Sequence, residues 1–262
     1  MNLYSEAGKL VDGGAAFAIA TIIAVKGSTP RKTAKMIIKS DGTTLGTIGG
    51  GLAELFVIRE ATVAIREDCS KVVEYTLDNE AADGIEMFCG GRMTISIEVV
   101  AAKPKIIMIG AGHVGLAVAK LVALLDYKLV IVDNRAEFAN PEKYPMAAEI
   151  FCDHNLQTAI SRLRIDQDSY IVIATNDADL QALRAVIDTD AAYIGMIGSK
   201  HKVASIAELL KKEGVSKERL QAIYAPVGLD IGSETPEEIA VSILAEILKI
   251  RHGKTGLSLR EV

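Results

Sequence analysis

Apolar and polar positions change rhythm near residue 104. Before it, short apolar runs surround one longer helical pattern. Residues 3–11 predict an opening helix. Residues 15–25 form a continuous apolar run that predicts a buried strand. Residues 35–40 and 43–48 flank Asp41-Gly42, a pair that predicts a hairpin because it suits a tight two-residue turn. Between residues 52 and 66, Leu52, Leu55, Phe56, Ile58 and Val63 recur at helical spacing and form the apolar stripe of a predicted helix. Residues 72–77 and 93–100 predict further strands. Ala101-Ala102-Lys103-Pro104 then breaks the pattern, and Pro104 brings no N–H to a ladder, so these residues predict a linker. The expected domains are residues 1–101 and 102–262.

After the linker, strand and helix patterns alternate. Strands are expected at 105–109, 128–133, 148–151, 170–174 and 194–197. Helices are expected near 113–125, 156–163, 178–187 and 201–212, with a final one at 236–250. That last helix opens on Thr235, Pro236 and Glu238, which spell a capping box with proline at the first helical position. Repeated strand–helix units with continuously apolar strands imply a parallel sheet covered on both faces. The expected fold class is α/β: an N-terminal mixed α+β domain followed by a Rossmann-like parallel-sheet domain.

Composition narrows the function classes. Of 262 residues, 50% are apolar and 24% charged, the range of soluble globular chains. The net charge of -5 offers no basic field for nucleic acid. The longest apolar run is about half of what a membrane span requires, and the N-terminus lacks a signal-peptide pattern. Three cysteines, Cys69, Cys89 and Cys152, argue against a disulfide framework and fit a reducing compartment. A cytoplasmic location is expected. No spacing suggests a structural zinc site, and no metal ligand is assigned.

The chemistry sits in glycine-rich turns. Gly110-Ala111-Gly112-His113-Val114-Gly115 follows an apolar strand and opens a helix, with Asp133 ending the next strand. This is the context that a dinucleotide fingerprint requires. Gly110 makes the tight turn, Gly112 admits a pyrophosphate, and Gly115 lets the helix pack on the strand. Asp133 is placed to accept ribose hydroxyls, which favours NAD, although Arg135 blurs that preference. The alternative is a Rossmann-like fold that keeps the turn without the dinucleotide. His113 either meets a ligand phosphate or is simply exposed. Asn176 and Asp177, and one unit later Gly198 and Ser199, lie where strands enter helices. They either cap those helices or contribute to a ligand site at the sheet edge.

Three turns in the first hundred residues are also candidates. Pro30 and Arg31 follow the first strand, and Arg31 can pair with a phosphate. Gly49, Gly50 and Gly51 precede a helix whose first turn carries Glu54. Such a turn either cradles an anion or is a tight connection. Cys89, Gly90 and Gly91 form the third. Cys89 can carry sulfur, touch a metal cofactor or be a small buried hydrophobe. No hydrolase triad, zinc-protease helix, Walker or kinase motif appears, and no hydride-transfer acid/base group is identifiable.

Taken together, G-S-T-P-R, then D-G-x-x-x-G-x-I-G-G-G-x-x-E, then F-C-G-G, then I-G-A-G-H-V-G resemble the XdhC/CoxI family of xanthine dehydrogenase accessory factors. The late run from Ala225 to Ile243, A-P-V-G-L-D-I-G-S-E-T-P-E-E-I-A-V-S-I, is similar to that family as well. The resemblance implies an accessory protein that binds the molybdenum cofactor and assists its sulfuration and insertion into a xanthine dehydrogenase-type hydroxylase. Its implied partners are the apo-hydroxylase and a cysteine desulfurase, and a homodimer is possible. The molybdenum cofactor is the implied cargo, with NAD or another nucleotide as a further ligand. Carried over by residue, it marks Pro30, Arg31, Gly49, Gly50, Gly51, Glu54, Cys89, Gly90 and Gly91. In the second domain it marks Gly110, Gly112, His113, Gly115 and Asp133, with Gly228, Asp230 and Gly232 in the late loop. Cys89 is the candidate for chemistry; no catalytic residue is assigned. Many family members carry Thr-His-Asp where this chain has Thr175-Asn176-Asp177, which puts any reaction of that histidine in doubt here. An NAD-dependent oxidoreductase and a nucleotide-sensing regulatory module are the rival readings.

Overall fold

The structure is a computed structural model that describes residues 2–27, 29, 31–77 and 91–261. The chain divides into two units, Met1–Lys103 and Pro104–Val262. Hydrogen bonds place the division. The Lys103 N–H donates to Gly14 O at 3.2 Å inside the first unit, and Pro104 O accepts from Lys128 N at 2.9 Å inside the second.

The first unit is a mixed α+β domain with one antiparallel sheet. Helix α1 (Leu3–Asp12) starts where the Asn2 side chain accepts the Tyr4 N–H at 3.1 Å. The strands are β1 (Phe17–Lys26), β2 (Lys35–Lys39), β3 (Thr44–Gly46), β4 (Lys71–Leu77) and β5 (Gly91–Val100), in the order β3-β2-β1-β5-β4. The expected hairpin at Asp41-Gly42 is present, with a three-residue loop of Ser40, Asp41 and Gly42 closed by the Lys39 N–H on Thr43 O at 2.9 Å rather than a two-residue turn. Asp41 Oδ1 accepts from Thr43 N at 2.9 Å and from Thr43 Oγ1 at 2.7 Å, and Gly42 supplies φ 79°.

Helix α2 (Gly51–Arg66) lies on this sheet, but not on the face that its large residues suggest. It buries Ala53, Val57, Ala61 and Ala64 against Ala18, Ala20, Ile38, Ile95 and Ile97. Leu52, Leu55 and Phe56 are 48%, 64% and 40% exposed. The small residues recur at spacings of four and three, and they bring the helix axis close to the sheet. The sheet supplies most of the volume of this layer, through Met36, Ile38, Met93, Ile95 and Ile97, so the helix contributes small side chains to it.

The second unit is a Rossmann-like parallel sheet of β6 (Lys105–Ile109), β7 (Lys128–Asp133), β8 (Glu149–Cys152), β9 (Ser169–Ile173) and β10 (Tyr193–Met196). The order is β10-β9-β6-β7-β8, with every pair parallel. Alternate residues of β6 point to opposite faces. Ile106 and Met108 join the core under α3 (His113–Leu124) and α8 (Pro236–Arg251). Ile107 and Ile109 join the core under α4 (Leu156–Ser161), α5 (Asp179–Val186) and α6 (Lys200–Lys212). A short helix α7 (Lys217–Gln221), which the apolar pattern does not announce, follows α6. The capping box at Thr235 and Glu238 is present. Among the described residues no helix is long and apolar enough to cross a membrane.

Candidate functional site

Strand order reverses between β6 and β9, so their first connections leave in opposite directions, the arrangement that in open parallel sheets forms a ligand crevice at the carboxyl ends. The glycine turn fills one side of it. Gly110 has φ 114°, and a β-carbon there would stand 2.2 Å from Ala174 O, at the end of β9. Gly115 is equally constrained, since its β-carbon would meet Gly110 O at 2.2 Å. These two glycines let the turn, the helix and the neighbouring strand fit together. Gly112 differs. It caps α3, and a β-carbon there would meet nothing within 4 Å. The first turn of α3 has no side-chain cap and no acidic residue, so its N–H groups and positive dipole end are not met by a carboxylate of that helix. His113, the first residue of α3, is exposed.

Asp133 ends β7 and is 3% exposed. Its Oδ2 accepts from the Ala111 N–H at 2.6 Å and from Arg135 Nη2 at 2.9 Å. Its Oδ1 accepts from Arg135 N at 3.0 Å and Arg135 Nε at 2.9 Å. The carboxylate therefore ties the glycine turn to the end of β7 and is held by a bidentate guanidinium. Burial raises its pKa, but the hydrogen bonds from Arg135 and Ala111 outweigh that and hold it below the ordinary value. The Arg135 guanidinium stacks on Phe138, 4.2 Å from the ring centroid, and the Lys143 ammonium lies 4.4 Å from the same ring. The Tyr144 hydroxyl reaches toward Gly112 O at 3.5 Å; burial, then the Asp133 charge, pushes its pKa up to about 12.

The turns after β9 and β10 meet through two residues, Asp179 and Lys202. Asp179, 1% exposed, accepts the Thr175 N–H at 3.1 Å and the Thr175 hydroxyl. Its Oδ2 takes no hydrogen bond but is ion-paired with Lys202. Lys202 also donates to Asn176 O at 3.5 Å. Asn176 and Asp177 are exposed beside this pair. Ser199 caps α6 by accepting the Lys202 N–H at 3.2 Å, and Gly198 precedes it. The T-x-x-x-D spacing of Thr175 and Asp179 was the available signal for the first residue; Lys202 had none.

The late loop runs beside β10 and is pinned to α8. Glu246, 7% exposed, accepts from Tyr193 Oη at 2.6 Å and from Gly228 N at 2.9 Å. Ser242, one turn earlier, donates to Leu229 O at 2.6 Å. Gly228 has φ 100°, and a β-carbon would stand 2.3 Å from Ser242 Oγ, so it is a packing glycine. Asp230 and Gly232 are exposed, and space is open around Gly232. Two polar residues four apart on a helix that otherwise buries Ala240, Ile243 and Ile247 were the sequence signal for this anchor.

In the first unit the glycine-rich turn meets a carboxylate of its own chain. Glu54 Oε2 accepts from Thr47 Oγ1 at 2.5 Å, Gly50 N at 3.0 Å and Ile48 N at 3.1 Å. Burial raises the Glu54 pKa, but hydrogen bonds from Thr47 and the turn backbone prevail and lower it. Gly49 (φ 136°), Gly50 (φ 79°) and Gly51 (φ 71°) all have positive φ, which explains three consecutive glycines by backbone conformation. Arg31 is exposed, and Gly91 is buried at the start of β5. Pro30, Cys89 and Gly90 lie outside the described residues. Cys69 and Cys152 are exposed. The thiol of Cys152 is pushed up by burial of its sulfur and by the charges of Asp133, Asp153 and Glu137.

Two family models match the sequence: the XdhC Rossmann domain over residues 106–247, and the XdhC and CoxI family over residues 10–76. The chain belongs to the XdhC and CoxI family. Among curated relatives, an uncharacterised Escherichia coli protein, YqeB, is 38% identical over 98% of this chain and 47% of its own length. A probable xanthine dehydrogenase subunit from Bacillus subtilis is 29% identical over 59% of this chain and 45% of its own length. This chain thus spans about half the length of each. The Escherichia coli molybdenum cofactor insertion chaperone PaoD is 24% identical over 89% of this chain and 83% of its own length. The crystal structure of a xanthine dehydrogenase from Bacillus halodurans shares the fold, with a TM-score of 0.53, 20% identity and 97% coverage of both chains.

Proposed function

We propose that this chain is an accessory protein that binds the molybdenum cofactor and assists its sulfuration and insertion into a xanthine dehydrogenase-type hydroxylase. The observation that carries the reading is the relation to the insertion chaperone PaoD, which extends over 89% of this chain and 83% of that one. The crevice between β6 and β9 suits the phosphate of such a cargo, because α3 presents N–H groups with no acidic residue in its first turn. Gly112 leaves space beside them. His113, Asn176 and Asp177 are the exposed polar side chains nearest in sequence to those turns and are the groups assigned to orient the ligand. In the first unit Arg31 is assigned to the anionic cargo, and Glu54 shapes its turn rather than meeting ligand. Cys89 is the residue assigned to sulfur handling, with a cysteine desulfurase as donor partner. A cytoplasmic site and a homodimer belong to the same proposal.

The test is a deletion strain assayed for molybdenum hydroxylase activity. The reading expects apo- or desulfo-hydroxylase with activity restored by the gene in trans. Fully active, sulfurated hydroxylase in the deletion strain rejects it.

A further inference from the structure

The Asp133–Arg135 pair bears on what the glycine turn admits. A carboxylate offers about four lone-pair positions. Here four protein donors point at them: the N–H groups of Ala111 and Arg135, and Arg135 Nε and Nη2. The group is 3% exposed, so water does not supplement these bonds. In dinucleotide sites the acidic residue at the end of this strand accepts the ribose hydroxyls, and a ribose needs acceptors with free lone pairs. To reach Asp133, a ribose must displace a bidentate guanidinium that also stacks on Phe138 at 4.2 Å. The phosphate end of the crevice has no comparable obstruction, since Gly112 opens onto free space.

We propose that Arg135 is the specificity-determining residue of the crevice. It keeps Asp133 closed to a ribose diol. The turn then rejects NAD-type dinucleotides and takes a ligand that brings phosphate to α3 without needing an acceptor at β7. This deepens the cofactor reading above and rests on it for the identity of the ligand. It also reverses the expectation that Asp133 favours NAD.

The experiment is calorimetric titration of NAD+ into the full chain and into Arg135→Ser and Arg135→Lys, with a thermal melt of each. Wild type is expected to bind NAD+ no tighter than the millimolar range. Arg135→Ser removes the guanidinium and is expected to bind at least tenfold tighter, and Asp133→Asn added to it abolishes the gain. Arg135→Lys keeps the positive charge but cannot bridge both oxygens. It carries the same test if Arg135→Ser melts early. Micromolar NAD+ binding by wild type overturns the proposal. So does the absence of any gain in a variant that melts like wild type. A parallel titration with isolated molybdenum cofactor separates the two ideas: no binding there rejects the delivery reading, whereas the NAD+ comparison decides the role of Arg135.

Discussion

The Glu54 carboxylate accepts the Gly50 N–H at 3.0 Å, so the glycine-rich turn ahead of α2 closes on an anion of its own helix. The same oxygen also takes the Thr47 hydroxyl and the Ile48 N–H. Thr175 and Asp179 repeat the device in the second unit, where an acidic residue on the first turn of a helix gathers a threonine hydroxyl and backbone N–H. In both places the turn ahead of a helix is closed by a carboxylate of that helix.

The Glu54 anchor predicts a substitution series. Glu54→Gln keeps an acceptor oxygen but loses its charge, and about 1 kcal/mol of stability is expected to go. Glu54→Ala leaves three donors without their acceptor and is expected to cost about 2–3 kcal/mol. Denaturant unfolding of the three proteins checks the order.

Acid stability follows from the same group. Its folded pKa is lowered from 4.5, so its contribution is present above that value and is lost as pH falls through the lower folded value. The midpoint of thermal unfolding of wild type is therefore expected to fall more steeply below about pH 4.5 than that of Glu54→Gln. Parallel curves contradict this.

The glycines of the Rossmann turn separate by role. Gly110→Ala sets a β-carbon 2.2 Å from Ala174 O at φ 114° and is expected to destabilise by more than about 2 kcal/mol. Gly112→Ala meets nothing within 4 Å and is expected to melt within a degree or two of wild type. Under the proposed function it lowers cofactor affinity by obstructing the approach to α3. Thermal melts alongside cofactor titration distinguish the two.

The late loop depends on a buried carboxylate. Glu246→Ala strands the Tyr193 hydroxyl and the Gly228 N–H, and about 3 kcal/mol is expected to be lost. Tyr193→Phe removes the donor instead and is expected to cost less, about 1 kcal/mol. Burial first, then the bond to Glu246, raises the Tyr193 pKa, so no ionisation of this phenol is expected in an ultraviolet titration short of unfolding.

What the sequence reveals depends on which physical requirement is local. The Rossmann turn is readable because its glycines answer backbone demands that few other residues satisfy. The parallel sheet is readable because β6, β7 and β9 are buried on both faces and so are continuously apolar. The packing face of α2 is not. Its alanines carry little hydrophobic signal, while Leu52 and Leu55 carry much and are largely exposed. Val57→Ala is accordingly expected to cost about 2 kcal/mol and Leu55→Ser less than about 0.5 kcal/mol, which unfolding measurements can compare. The pairing of Asp133 with Arg135 was half legible: the two residues are visible at the strand end, but only the side-chain geometry shows that the guanidinium takes both oxygens. Lys202 reaches Asp179 across two strand–helix turns, a contact set by sheet order rather than by any local motif.

The most direct measurement of the central claim is an anaerobic calorimetric titration of isolated molybdenum cofactor into the purified full chain. Saturable binding with one site per chain is expected, weakened at least tenfold by Gly112→Ala with no change in melting temperature. A folded protein that shows no heat of binding with intact cofactor contradicts it.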